Sequence, residues 1–118
     1  MGGLISMYMG IRYPDVFTFI LSYSSAFFAY RKCTINHFFR KVKPIPGKLP
    51  ILLLYCGHED ALEKMLLPMI QHVVSRLRKL GFNEDYLYYS YDEQSYHHEK
   101  CWSKELTRSF KYLEKHNL

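Results

Sequence analysis

The distribution of apolar and polar residues along the chain predicts helix, strand, loop, strand, helix, strand and helix, in that order. The first helix begins close to Gly2. We expect it to end at Tyr13, because a residue before proline is disfavoured in the α-helical region and Pro14 follows. Its apolar positions recur at the spacing of one helical face, and they are Leu4, Met7, Tyr8 and Ile11.

Three later segments are predicted to be strands of a parallel sheet, and the first two of them are typical of buried strands. They are VFTFILSYSS (Val16–Ser25), PILLLYCG (Pro50–Gly57) and DYLYYSYD (Asp85–Asp92). The first has apolar residues on both of its faces, as expected for a strand covered on both sides. The stretch between the first two strands, residues 27–50, mixes aromatic and cationic residues and ends in KPIPGKLP. Its three prolines and glycine disfavour regular structure, so we expect a loop or a short lid there.

Two further helices are predicted in the second half of the chain. One runs from about Ala61 to Leu80, and Gly81 follows it as a C′ glycine would. Pro68 interrupts this segment and could instead mark the true helix start. The last helix begins in HEKCW and carries one apolar face, formed by Trp102, Leu106, Phe110 and Leu113. Alternation of strands and helices indicates an α/β fold with a parallel sheet and right-handed crossovers.

Composition and charge limit the classes of function. A chain of 118 residues fits one small domain, and its 48% hydrophobic and 17% aromatic content is too high for a disordered segment. The net charge of +5 is not accompanied by a nucleic-acid-binding motif, so we expect a solvated basic surface and no nucleic-acid partner. No apolar run reaches the length needed to cross a bilayer, so no membrane partner is expected.

The cysteines indicate the compartment. Cys33, Cys56 and Cys101 form neither an even-numbered framework nor a C-x-x-C pair. Disulfide-rich frameworks belong to oxidising compartments, so we expect a reducing one, the cytoplasm. The absence of a recognisable signal peptide at the start of the sequence agrees with this expectation.

Polar side chains follow the second and third predicted strands. GHED (Gly57–Asp60) comes after the second, and QSYHHEKCW (Gln94–Trp102) comes after the third. Because parallel strands end at the same edge of a sheet, we expect the two clusters to meet. A carboxylate and a histidine delivered in this way are two members of a nucleophile, base and acid triad.

The nucleophile of such a triad is missing from the sequence. Ser6 falls inside the first helix, and Ser24 and Ser25 end a strand without flanking glycines. In α/β-hydrolases the serine lies in a G-x-S-x-G elbow between a strand and a helix. If a serine preceded Met1, then Met1 and Gly2 would complete this motif, and the chain would begin one residue after the nucleophile.

MGGLISMYMGIRYPDVFTFILSYSSAF (Met1–Phe27) resembles the segment after the nucleophile in the putative-esterase family of α/β-hydrolases. That family includes enterochelin, feruloyl and acetyl-xylan esterases, esterase D and the mycolyltransferases. GHED is similar to the family's Gly-x-x-Asp/Glu, and HHEKCW to its histidine followed by tryptophan. The resemblance implies the carboxyl-terminal part of an α/β-hydrolase fold, with about three parallel strands and flanking helices. Residues 1–118 would then form a single partial domain.

The resemblance also implies the site residues. Asp60 would be the acid, with Glu59 as the alternative, and His97 would be the base. His98 would take over that role if the turn were shifted by one residue. The N–H of Met1 would be an oxyanion-hole donor, because the residue after the nucleophile supplies it. No cofactor is implied.

The function implied is that of a carboxylic-ester hydrolase of the serine type acting on a small-molecule ester. The chain would be a carboxyl-terminal fragment that carries the acid and the base and is inactive alone. Phe27, Phe28 and Trp102 are the candidates for lining a substrate pocket. Further aromatics of residues 27–47 would favour an apolar or aromatic acyl group or form the small core of a lid; they are Tyr30, Phe38 and Phe39.

Other interpretations stay open. Asp60 could cap the following helix, a role that is compatible with catalysis, and His97 could be a surface histidine at a helix start. HED and HHE contain metal-ligand residue types but lack the i, i+4 spacing of zincins, so no metal site is expected. Alternatively, the chain could be a non-catalytic module that binds or self-associates through the strand from Val16, which would be left as an open apolar edge.

Overall fold

Three parallel strands and four α-helices account for most of residues 1–41 and 47–116, the part of the chain that the computed structural model describes. The elements are α1 (Gly2–Arg12), β1 (Phe19–Tyr23), α2 (Lys32–Lys41), β2 (Ile51–Gly57), α3 (Ala61–Lys79), β3 (Leu87–Asp92) and α4 (Glu99–Glu114). A single 3₁₀ turn covers Phe27–Ala29. The predicted order of helices and strands is confirmed, with α2 as an addition.

The strands pair in the order β1-β2-β3, and both pairings are parallel. Phe19 lies opposite Ile51, and Leu52 lies opposite Leu87. Every residue of the central strand β2 is buried, as its continuous apolar sequence predicts. An α/β fold with three parallel strands and flanking helices is therefore confirmed.

The first strand is shorter and more exposed than the sequence predicts. Val16 precedes β1 and is 70% exposed, and Phe19 at its start is 41% exposed. Ile20 and Ser22 are buried because they face α1. The expectation that both faces of this strand are covered holds only in part: Ile20 and Ser22 are buried on one face, while Leu21 and Tyr23 on the other face are partly buried against α4.

Helices cover both faces of the sheet. Alternate residues of a strand point to opposite faces. Leu52 and Leu54 belong to the larger apolar core, which α1, α2 and α3 complete. Ile51 and Leu53 belong to a smaller core on the other face, where Leu113 of α4 packs. The carboxyl ends of all three strands are therefore left between two helical layers.

The prediction of a loop or lid over residues 27–50 is wrong for its first part. This part contains the 3₁₀ turn and α2, which buries Ile35 and Phe39. These two residues are four positions apart and so lie on one helical face. Most of the other residues of the helix are polar or charged, which makes this short pattern hard to recognise. Residues 42–46, which hold part of the proline-rich segment, lie outside the described residues.

Helix α3 begins at Ala61 and runs through Pro68 without interruption. The alternative that Pro68 marks the start is therefore wrong, while the predicted end is confirmed. Leu80 caps the helix, and Gly81 adopts the left-handed conformation, with φ +100°.

Only part of the apolar face predicted for α4 is buried against the sheet. Leu106 and Phe110 are 36% and 50% exposed. The face that α4 buries ends in Leu113 but is otherwise formed by small and polar residues, namely Cys101, Glu105 and Ser109. These polar side chains meet polar partners on the sheet: Ser90 donates to Glu105, and the Tyr23 hydroxyl bonds to Ser109. Hydrogen bonding therefore decides which face of α4 is buried.

None of the helices in residues 1–41 and 47–116 combines the length and apolar character that crossing a membrane requires.

Candidate active site

The loops after β2 and β3 are bound to each other at the carboxyl edge of the sheet. The backbone N–H groups of His58 and Glu59 both donate to the carbonyl oxygen of Ser95, at 2.9 Å. Gly57 permits this approach, because a Cβ at this position would lie 2.3 Å from the same oxygen. The two polar clusters found in the sequence therefore meet, as predicted.

Asp92 shapes the loop after β3. Its Oδ2 accepts a hydrogen bond from Ser95 Oγ at 2.7 Å, and its Oδ1 accepts one from the backbone N–H of Gln94 at 3.0 Å. These bonds, the Ser95 bond above all, lower the pKa of the Asp92 carboxyl. An ionised carboxylate thus stabilises the turn that leads to His97.

Asp60 joins this loop to the beginning of α3. Its Oδ1 accepts the backbone N–H of Glu63 at 2.8 Å, which is the hydrogen bond of an N-cap. Its Oδ2 accepts the backbone N–H of His97, also at 2.8 Å. Both bonds, first that of Glu63, lower the pKa of Asp60. The predicted acid therefore lies beside the predicted base and holds its backbone.

The imidazole of His97 has one nitrogen turned into the protein. The side chain is 30% exposed, and Nδ1 lies 3.7 Å from Oε1 of Glu63. Nδ1 is buried and has no hydrogen-bond partner within the described part of the chain. The ring meets the indole of Trp102 edge to face, with the centroids 4.8 Å apart. Trp102, which the sequence analysis names as a candidate for lining the substrate pocket, thus packs directly against the imidazole.

Glu63 is the site residue that the sequence interpretation missed. Its side chain is fully buried in the first turn of α3. Oε1 accepts a hydrogen bond from Ser24 Oγ at 2.6 Å, and Oε2 lies 3.4 Å from the thiol of Cys56. Burial, and then the charge of Glu63, raises the pKa of the Cys56 thiol, which stays a protonated donor.

A sequence signal for Glu63 exists. It follows Asp60 by three positions and precedes the buried Leu66 and Leu67 by three and four, so it lies on the apolar face of α3. A carboxylate on an apolar face needs hydrogen-bond donors around it, because burying an unpaired charge is costly. Its donors, Ser24 and Cys56, belong to other elements of the fold and cannot be identified from the spacing within α3.

Ser24 connects the ends of three elements. It follows β1, donates to Glu63 in α3 and accepts a hydrogen bond from Nε1 of Trp102 in α4, at 3.1 Å. Its backbone lies in the left-handed region, with φ +47°. Non-glycine residues adopt this conformation rarely, and such residues cluster at functional sites.

The beginning of α1 lies at the same edge of the sheet. Ser22 Oγ in β1 donates to the carbonyl oxygen of Gly3 at 2.8 Å. A Cβ on Gly3 would lie 2.8 Å from the carbonyl oxygen of Tyr23, so only glycine allows this close packing. Met1, the predicted oxyanion-hole donor, precedes α1 at its N-terminus, where free backbone N–H groups concentrate positive charge.

The alternative site residues lie further out. Glu59 is exposed, although its backbone takes part in the loop contact. His98 caps α4, since its Nδ1 accepts the backbone N–H of Lys100 at 3.1 Å. Its other ring nitrogen lies 3.6 Å from the exposed carboxylate of Glu99. His98 therefore caps α4, whereas His97 turns one ring nitrogen into the protein.

An apolar cavity of about 530 Å³ lies between α1, α2 and the 3₁₀ turn. Met1 and Phe27 line it, together with Phe38 and Phe39 of α2. Phe28 is 44% exposed and does not belong to the lining. Of the three predicted pocket residues, Phe27 therefore lines the cavity. Trp102 instead packs against the imidazole of His97.

Within residues 1–41 and 47–116, no three histidine, cysteine, aspartate or glutamate side chains form a group able to hold a metal ion.

Comparisons with known proteins agree with this architecture. Among curated proteins, YbbA of Bacillus subtilis (strain 168), described as uncharacterized, is 28% identical over 118 residues. The match covers 96% of this chain and 46% of YbbA, so the chain spans less than half the length of that relative. No solved structure matches the chain. The family model described as Putative esterase matches residues 1–113, from the first residue into the last turns of α4, and the chain therefore belongs to the putative esterase family.

Proposed function

We propose that the chain is the carboxyl-terminal part of a serine-dependent carboxylic-ester hydrolase whose nucleophile is encoded before Met1. The observation that carries the proposal is the placement of His97. Its ring presents one buried nitrogen to a carboxylate, at the sheet edge where α1 begins. Membership of the esterase family and the 46% coverage of YbbA support the same interpretation.

The proposed reaction follows the usual steps of ester hydrolysis by a serine. The serine oxygen attacks the ester carbonyl while Nε2 of His97 takes its proton. The imidazolium then returns the proton to the leaving alcohol, and an acyl-serine remains. Water attacks this acyl group with His97 again as the base, which releases the carboxylic acid and restores the serine.

Asp60 and Met1 have separate roles in this proposal. Asp60 is the acid in the family pattern. Its carboxylate accepts the backbone N–H of His97, which fixes the position of that residue, and it adds negative charge near the imidazolium. The N–H of Met1 would donate to the oxyanion once Met1 is an internal residue, in a site where fixed donors stabilise developing charge.

The cavity suggests the substrate class. It opens beside Met1, next to the place proposed for the serine, and its lining is mostly apolar, with Thr34, Tyr8 and Tyr30 as the residues that carry hydroxyl groups. An apolar acyl group would fit such a lining, since burial of each CH₂ contributes about 0.8 kcal/mol. We therefore propose a small-molecule ester with an apolar acyl chain.

The test begins with the DNA upstream of the Met1 codon. An open frame that encodes a strand followed by Gly-x-Ser allows the extended chain to be expressed. We expect it to hydrolyse p-nitrophenyl butyrate, and His97→Ala to lower kcat by about 10³-fold or more. His37→Ala removes an exposed histidine of α2 and is the matched control. It should stay within about twofold, because surface substitutions away from a site have small effects.

The 118-residue chain alone should show no turnover. Hydrolysis by the isolated chain that is lost in His97→Ala would contradict the inactivity of the fragment. An extended chain with the serine in place that hydrolyses nothing, or that tolerates His97→Ala, would refute the esterase proposal itself.

The edge of β1 favours a second candidate, a non-catalytic module that self-associates. Within the described part of the chain, β1 pairs on one side only, and Phe19 and Val16 are exposed there. Open apolar edges recruit further strands. On this hypothesis Phe19→Lys lowers the mass measured by light scattering at high concentration, whereas Phe110→Lys on the exposed side of α4 does not. A monomeric unmodified chain would exclude it.

A further inference from the structure

Two carboxylates lie close to His97, and the structure gives them different tasks. Both oxygens of Asp60 are occupied by backbone N–H groups, one from Glu63 and one from His97. The carboxylate that faces the imidazole at 3.7 Å is that of Glu63. The residue that matches the family pattern is therefore not the residue that meets the buried ring nitrogen.

The surroundings of Glu63 supply a hydrogen-bond donor to each of its two carboxylate oxygens. Its side chain has no solvent exposure, and a buried charge is tolerated only where donors surround it. Trp102 donates to Ser24, and Ser24 in turn donates its own hydrogen to Oε1. The thiol of Cys56 approaches Oε2 as a second donor. Ser24 and Cys56 are both uncharged donors, so neither of them places a positive charge beside the carboxylate.

His97 completes this arrangement. Its Nδ1 is buried without a partner within the described residues, and Oε1 of Glu63 is the carboxylate oxygen that lies near it. At 3.7 Å the contact is longer than a hydrogen bond, but catalytic hydrogen bonds are often long before substrate binds. The edge-to-face packing of Trp102 keeps the ring in this orientation.

We propose that Glu63 is the positioning residue for His97: it holds the imidazole in the tautomer with hydrogen on Nδ1 and stabilises the imidazolium. This proposal rests on the proposed serine-esterase function and assigns its ring-facing acid to Glu63. The tautomer leaves Nε2 as the free base for the serine. Asp60 remains the residue that fixes the backbone of the same histidine.

The first test is spectroscopic and needs no nucleophile. Long-range ¹H–¹⁵N correlation of the imidazoles in the 118-residue chain, with His97 assigned by His97→Ala, reports the tautomer of the neutral ring. We expect hydrogen mainly on Nδ1 in the unmodified chain. Glu63→Met has a similar length but no carboxylate, and it should move the population toward the Nε2–H form that free histidine favours.

Asp60→Asn is the matched control. It removes the other nearby charge but leaves Glu63 in place, so the Nδ1–H tautomer should persist. A predominantly Nε2–H form in the unmodified chain would overturn the proposal without any variant. A tautomer that changes in Asp60→Asn and stays in Glu63→Met would overturn it as well.

The second test uses the extended chain that contains the serine. Glu63→Gln is expected to lower kcat by about 10³-fold with KM changed by less than about threefold, because the interaction strengthens when the imidazolium forms. The loss should exceed that of Asp60→Asn, and the reverse order would contradict the proposal. An inert unmodified extended chain would instead refute the esterase function while the tautomer result stood.

Discussion

Nε1 of Trp102 donates a hydrogen bond to Oγ of Ser24, 3.1 Å away, across 78 positions of the sequence. The bond ties the first turn of α4 to the end of β1. Ser24 passes a hydrogen bond on to the buried carboxylate of Glu63, so one hydroxyl links three elements of the candidate site. Trp102 is the single tryptophan of the chain, and its fluorescence therefore reports on this site.

Ser24→Ala should destabilise the protein by about 1–3 kcal/mol, because the indole N–H and the Glu63 carboxylate both lose a buried partner. Ser24→Gly loses the same bonds but relieves the left-handed backbone, which costs other residues roughly 1–2 kcal/mol. We therefore expect glycine to be the milder substitution. Urea denaturation followed by Trp102 fluorescence measures both, with the exposed Ser103→Ala as the control. If Ser24→Ala destabilised the protein less than Ser24→Gly, the left-handed backbone of Ser24 would not be a source of strain.

Gly57→Ala should displace the loop that carries His97. Its Cβ would lie 2.3 Å from the backbone oxygen of Ser95, and overpacking of this kind costs about 1–3 kcal/mol. Hydrogen exchange at the N–H groups of His58 and Glu59 should accelerate, since both donate to that oxygen. Gly2→Ala is the matched control, because nothing lies within 4 Å of its Cβ. Unchanged exchange in Gly57→Ala would show that the loop contact is weak.

The sequence predicts those parts of the fold that depend on contiguous signals. β2 is a continuous apolar run, and α3 has Asp60 before it and Gly81 after it. Local patterns of this kind are sufficient for long, buried elements. α2 was missed because it is short and buries only Ile35 and Phe39, with mostly polar or charged residues around them.

Features that depend on tertiary partners could not be read in the same way. The buried face of α4 is chosen by hydrogen bonds to β1 and β3, so the stripe of Leu106 and Phe110 gave the wrong face. At the site, the rule that strand ends share one edge places His97 and Asp60 together. It gives no information on Glu63, whose donors come from other segments of the chain.

Asp60→Ala should lower the free energy of unfolding by about 1–2 kcal/mol at neutral pH, through loss of the helix cap and of the bond to His97. The folded state lowers the pKa of Asp60 below its ordinary 3.8, so this contribution is present above 3.8 and is lost as pH falls through the lower, folded value. The difference between the unmodified chain and Asp60→Ala should therefore shrink in acid. Unfolding curves at pH 7 and below 3.8 measure it, with Glu59→Ala as the exposed control. A difference that grows in acid would be the wrong sign.

Glu105 should show the opposite dependence on pH. It is 1% exposed, and burial raises the pKa of its carboxyl above the ordinary 4.5. Ser90 and Arg108 face it as donors, while Asp92 and the Tyr23 and Tyr88 hydroxyls lie in the same surroundings. Its Oε1 is buried without a partner within the described residues.

A raised folded pKa means that the stabilising contribution of Glu105 is complete below 4.5 and is lost as pH rises through the folded value. Glu105→Gln keeps the shape and removes the charge, so we expect it to be more stable than the unmodified chain at pH 7, by on the order of 1 kcal/mol. This advantage should disappear near pH 4, where the native carboxyl is protonated as well. Urea denaturation at the two pH values tests the prediction, with the exposed Glu114→Gln as the control. If Glu105→Gln is the less stable protein at pH 7, the bond to Arg108 outweighs the cost of burying the charge.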